Sequence, residues 1–125
     1  MQLFISRFLP VFIGVSGSFC VLFGAWLAHA GKTLSPDVMS SVNYAHQYQF
    51  IHTLALLAVT VWLAHTTRKL LVAAAALFLI GILLFSGTIY LKTLLGVTVF
   101  SKLTPIGGMT LALAWLLLAF TGIKK

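Results

Sequence analysis

The chain has 125 residues, 61% of them hydrophobic and 7% charged, with a mean hydropathy of +1.11. A soluble domain carries roughly 25% charged residues, so this composition excludes a disordered segment, a coiled coil, a disulfide scaffold and a soluble globular enzyme, and leaves an integral membrane protein. Eight Lys and Arg against one acid give a net charge of +7; the cations stand at the ends of apolar runs, where they anchor to lipid headgroups and phosphates and do not form a nucleic-acid surface.

One membrane span takes about 20 apolar residues. The chain therefore has room for four spans and too little beyond them for a soluble domain. The expectation is a single all-α domain over residues 1–125, with four transmembrane helices in a compact bundle. Span one is predicted from about Phe8 to Ala28. Arg7 precedes it, and Ala28-His29-Ala30 has the A-x-A form of a cleavage site. Its apolar run is longer than the roughly 7–15 residues of a signal peptide, so an uncleaved anchor is expected. Ser35-Pro36-Asp37 reads as a helix start, with Ser as N-cap, Pro at the first position and an acid in the first turn. Val38, Met39, Val42 and Ala45 then recur at helical spacing, which predicts a short amphipathic interfacial helix, continuous or nearly so with span two. Span two is placed at about His46 to His65 and, after a tight connection through Thr66–Lys69, span three at about Leu70 to Leu91. A mostly apolar connection containing Gly96 leads to Thr104-Pro105, read as N-cap and N1 of span four, about Pro105 to Ile123. Arg7, Arg68, Lys69, Lys124 and Lys125 fall on one side, and Lys32, Lys92 and Lys102 with Asp37 on the other. The positive-inside rule then puts both termini in the cytoplasm.

Helices in lipid associate through small residues. Span one offers Ser16, Cys20, Gly24 and Ala28 at four-residue spacing, and span four offers Gly107, Gly108 and Ala112. Cys20 is a packing residue in this reading, and a lone cysteine forms no internal disulfide. The stripes serve one bundle or bring copies together, so the expected partners are the bilayer and either a homo-oligomer or a larger membrane complex.

Uncharged polar side chains gather toward the non-cytoplasmic ends: His29; Tyr48, Gln49 and His52; Ser86 and Tyr90; Thr104, Pro105 and Thr110. At 1.5 Å per residue, His52, Ser86 and Thr110 lie at similar depths on three spans. Tyr48, Gln49 and His52 can share a face, being three or four residues apart. An unpaired polar group in hydrocarbon is costly, so these residues are read first as hydrogen bonds locking the helices. The competing reading is a site for a small hydrophobic or neutral molecule. A remoter one is haem or metal held by His29 and His52. The chain has no H-x-x-x-H pair and no acid inside a span, so no metal or cofactor is expected, nor any enzymatic activity.

Gly24-Ala25 followed by Ala28-His29-Ala30, the run Tyr48-Gln49-Phe50-Ile51-His52-Thr53-Leu54-Ala55-Leu56, Ser86-Gly87-Thr88-Ile89-Tyr90 and Leu103-Thr104-Pro105-Ile106-Gly107-Gly108 occur in one order. In this the sequence resembles the YgdD-like family of small inner-membrane proteins, related to the eukaryotic transmembrane protein 256. It departs from that pattern by Trp26 and Leu27, which stand inside the first motif. The resemblance implies four helices in a bacterial inner membrane, and the polar residues above as a shared feature. It supplies no activity, substrate or cofactor. A structural or accessory membrane component is the function expected from these observations together.

Overall fold

A computed structural model of the chain describes residues 1–29 and 31–123. Ala30 of the A-x-A sequence and the cations Lys124 and Lys125 lie outside the described residues.

The chain is helical almost throughout. A π-helical turn, Phe4–Phe8, runs into α1, Leu9–His29. A 3₁₀ turn, Gly31–Thr33, leads to α2, Pro36–Leu63. The start of α2 follows the expected chemistry: the Ser35 hydroxyl accepts the Val38 amide at 3.3 Å, with Pro36 and Asp37 in the first turn. The predicted interfacial helix and span two are one unbroken helix of 28 residues. Next come α3, Lys69–Ile82, a second π turn, Leu83–Gly87, and α4, Thr88–Leu95, which together form a single rod. Gly96 ends the rod with φ +71°, the left-handed region that glycine enters without a Cβ penalty. The last helix is α5, Leu103–Ile123. It starts before Thr104, because successive turn bonds, Ser101 N to Thr98 O, Leu103 N to Phe100 O and Thr104 N to Ser101 O, wind the chain in. Thr104 is therefore inside the first turn and is not its N-cap. Pro105 sits there too, where a missing N–H loses no helical bond.

Among the described residues three rods are long and apolar enough to cross a membrane: Phe4–His29, Lys69–Leu95 and Leu103–Ile123. α2 is not among them, since His46, Gln47, Tyr48, Gln49 and His52 lower its average. The outer surface is apolar: Val11, Val15, Leu22, Leu54, Leu57, Val61, Leu113 and Leu116 are all exposed. Patches of that extent mark a surface meant for something other than water.

The backbones pair in the order α1–α2–α3–α5, each antiparallel to the next, as matching residues indicate: Ser16 meets Thr53, Ser86 meets Ala45, and Leu111 meets Gly81. The α3–α5 pair is the closest. A Cβ on Gly107 would stand 2.4 Å from the Phe85 amide nitrogen, and one on Gly81 would stand 2.5 Å from Leu111 Cδ2. Contact this intimate needs glycine. Toward the α2–α3 turn the core is apolar, with Leu9, Leu56, Val59, Leu71 and Phe78 all fully buried. At the same end the Arg68 guanidinium donates to the Thr121 carbonyl at 2.8 Å, a cation at a helix C-terminus. Because α1 and α5 stand at opposite flanks, the expected compact bundle is opened by two surface grooves, one between α1 and the α3–α4 rod and one between α2 and α5.

Candidate functional site

The polar residues divide into two groups that reach different neighbours of α2. The first joins three helices. Gln49 is buried; its Nε2 donates to Ser16 Oγ on α1 at 3.0 Å, and Ser16 Oγ shares a 2.8 Å bond with Thr53 Oγ1. The Tyr90 hydroxyl on α4 donates to Gln49 Oε1 at 2.8 Å. The result is one connected chain, Tyr90–Gln49–Ser16–Thr53. Two bonds to backbone carbonyls flank it: Ser86 donates to Ala45 O at 2.7 Å, and a His46 ring nitrogen stands 2.8 Å from Cys20 O. The His46 ring also packs 3.3 Å from where a Gly24 Cβ would be.

The second group joins α2 to α5. His52 Nδ1 lies 2.7 Å from the Tyr48 carbonyl, and the Trp115 indole N–H donates to His52 Nε2 at 3.0 Å. A carbonyl only accepts and an indole only donates, so these partners fix the ring as neutral, with its proton on Nδ1. Phe78 packs edge-on to Trp115, with centroids 5.1 Å apart. Tyr48 stacks on Phe85 and is half exposed. Separately, the Thr88 and Thr104 hydroxyls bond across α4 and α5.

The arrangement differs from the one expected in four respects. Gln49 and His52 do not share a site: though they stand only about 60° apart around α2, Gln49 bonds to α1 and α4 and His52 to α5. Thr110 donates to Ile106 O of its own helix at 2.8 Å and joins neither group. Pro105 is exposed, and so is His29 at the end of α1; the histidine that reaches from α2 to α1 is His46. Finally, Ser16 stands midway along the Phe4–His29 rod, so the first group lies deeper than the helix ends.

Thr53, Trp115 and the carbonyls of Cys20 and Ala45 complete these bonds and are not among the polar residues that the sequence pattern marks. The tryptophan reads as apolar, and backbone acceptors leave no trace in side-chain identity. Ser16 was singled out only as a packing residue.

Among the described residues no buried polar side-chain atom lacks a partner. No three His, Cys, Asp or Glu converge there to hold a metal. Ligation by His52 would require Nε2 to give up Trp115. The packing stripes face inward only in part: Ser16, Cys20 and Gly107 are buried, whereas Ala28 and Ala112 are exposed. A groove of about 290 Å³ opens between α1 and the α3–α4 rod, lined by Phe12, Val15, Phe19, Gln49, Gly87 and Tyr90 among others.

Residues 23–108 match the family described as "Protein of unknown function (DUF423)". A UPF0382 membrane protein of Haemophilus influenzae is 36% identical over 114 residues, 90% of this chain and 91% of the relative. The UPF0382 inner membrane protein YgdD of Escherichia coli K12 is 30% identical over 120 residues, 95% and 92% of the two chains. A UPF0382 membrane protein of Staphylococcus haemolyticus is 34% identical over 116 residues, 88% and 93%. No solved structure matches. The matched region holds Gln49, His52, Ser86, Tyr90 and Thr104 but stops before Trp115.

Proposed function

The chain belongs to the DUF423 family of membrane proteins, whose function is unknown, and from that footing we propose a non-enzymatic accessory component of the bacterial inner membrane. It spans four times, has both termini in the cytoplasm, and self-associates or docks on a larger complex. The observation that carries this reading is that, among the described residues, every buried polar side-chain atom has a hydrogen-bond partner. Gln49, Ser16, Thr53, Tyr90, His52 and Trp115 bond to one another across helices, which is what helix-locking residues do in a medium without water.

Outward-facing glycine supports self-association. A Cβ on Gly14 would meet nothing within 4 Å, and Gly14 and Ser18 are exposed one turn apart on α1. The fold does not require a small residue at Gly14, whereas a second helix approaching there would. Native mass spectrometry of protein extracted gently from its own membrane tests the reading. A multiple of 13.6 kDa, or a defined complex, is expected, reduced to the monomer by Gly14→Leu. A lone monomer from native membrane, with no co-purifying protein, overturns it.

A further inference from the structure

The groove between α1 and the α3–α4 rod has a polar floor under apolar walls. Phe12, Val15 and Phe19 of α1 form one wall, and Leu83, Gly87 and Tyr90 the other. Val15, Phe19 and Leu83 are exposed at its rim, so the groove opens sideways between two rods that are each apolar enough to span a membrane. Gln49 lies on the floor with Ser16 and Ser86. A glutamine amide has two N–H donors. Gln49 uses one on Ser16 and receives the Tyr90 hydroxyl at Oε1, so one donor is unspent. The Tyr90 oxygen keeps acceptor capacity, as a phenol that donates once. The floor thus offers a hydrogen-bond donor, with an acceptor beside it, in an otherwise apolar recess.

We propose that this groove binds an apolar molecule through a carbonyl oxygen set on Gln49, and that the chemistry fits an isoprenoid quinone. Depth selects the class. Gln49 bonds to Ser16, which stands halfway along the Phe4–His29 rod. Ester carbonyls of phospholipids lie at the interface, whereas Ser16 stands about a dozen residues from either end of that rod. A quinone brings its carbonyl into the hydrocarbon on an apolar body. Size agrees: about 290 Å³ is at the small end of ligand pockets, roughly 300–1,000 Å³, and takes one ring with the tail left in lipid. Phe12, Phe19 and Tyr90 give that ring aromatic neighbours. The inference goes beyond the accessory role and does not depend on it.

The experiment titrates ubiquinone-2 into the intact protein in phosphatidylcholine nanodiscs, with binding read by equilibrium partition of radiolabelled quinone. Infrared difference spectra of the ¹³C-carbonyl-labelled probe report its hydrogen bond. Saturable binding with a down-shifted carbonyl band is expected. Gly87→Leu fills the groove at a position where a Cβ meets nothing within 4 Å, so the variant keeps its fold and should lose at least tenfold in affinity. Gln49→Met should bind weakly and lose the carbonyl shift, with folding checked by circular dichroism and by the Gly87→Leu comparison. Non-saturable partition, unchanged affinity in Gly87→Leu, or a free-carbonyl band in the wild type would each overturn the proposal. So would a phospholipid that co-purifies and is lost in Gly87→Leu, because the groove would then hold an acyl chain.

Discussion

His52 shows how a single side chain is made permanent inside a membrane. Its Nδ1–H is held by the Tyr48 carbonyl one turn back, and its bare Nε2 receives the Trp115 indole from another helix. Trp115→Phe keeps most of the ring packing on Phe78 and His52 but strands the Nε2 lone pair. Interhelical hydrogen bonds in membranes contribute about 0.6 kcal/mol on average and reach about 1.7. Trp115→Phe should therefore destabilise the fold by about 1 kcal/mol, read from unfolding in mixed detergent micelles. A double-mutant cycle with His52→Leu should return a coupling of the same size. Strictly additive losses would mean the bond contributes nothing and that packing alone holds α5. Thr110→Ala removes a hydroxyl bonded only within its own turn, and serves as the near-neutral control.

Elements meet most tightly where α5 crosses the π turn of the α3–α4 rod. A π turn inserts a residue into the helical ladder, which brings the Leu84–Phe85 backbone against Gly107. A Cβ there would lie 2.4 Å from the Phe85 nitrogen and 2.7 Å from the Leu84 carbonyl carbon, both backbone atoms that cannot swing aside. The adjacent Gly108 would place its Cβ 3.6 Å from the Phe85 ring, an ordinary contact. Gly107→Ala should thus cost about 1–3 kcal/mol as an overpacking change, or prevent folding, while Gly108→Ala should stay within about 0.5 kcal/mol. Thermal melts of the two variants in the same detergent decide it, and equal melting temperatures would contradict the close crossing. The sequence made both glycines visible as packing residues but could not rank them, because the π turn sets the register and side-chain periodicity carries no sign of it. The start of α2 was fully legible, since Ser35, Pro36 and Asp37 act through local bonds. The locking residues were legible by type, because a polar group in an apolar run must find a partner. Their division into two groups was not, because it depends on where α1, α4 and α5 lie around α2.

At the scale of the whole molecule the remaining question is whether α2 crosses the bilayer. Its 28 residues rise about 42 Å, longer than a hydrocarbon core of about 30 Å. Its polar residues at membrane depth do not argue against crossing, because Gln49, His52 and Thr53 are turned inward and bonded to α1, α4 and α5. The face left outside from Ile51 onward is apolar, with Ile51, Leu54, Leu57 and Val61 exposed, whereas Ser40, Asn43, Tyr44 and Gln47 are exposed nearer its start. An average over the helix mixes these faces and understates how well α2 suits lipid. About the first two turns would then rise into the headgroups and the remainder would cross. Single cysteines in a Cys20→Ser background test this. Ser40→Cys and Thr67→Cys flank the crossing portion at exposed positions. A membrane-impermeant maleimide applied to intact spheroplasts should label Ser40→Cys, and should reach Thr67→Cys only after permeabilisation. Labelling of both from outside would place the α2–α3 turn on the outer face and return α2 to the surface. Three spans would then carry the termini to opposite sides, and the polar locks beneath α2 would lie at an interface instead of inside a bundle.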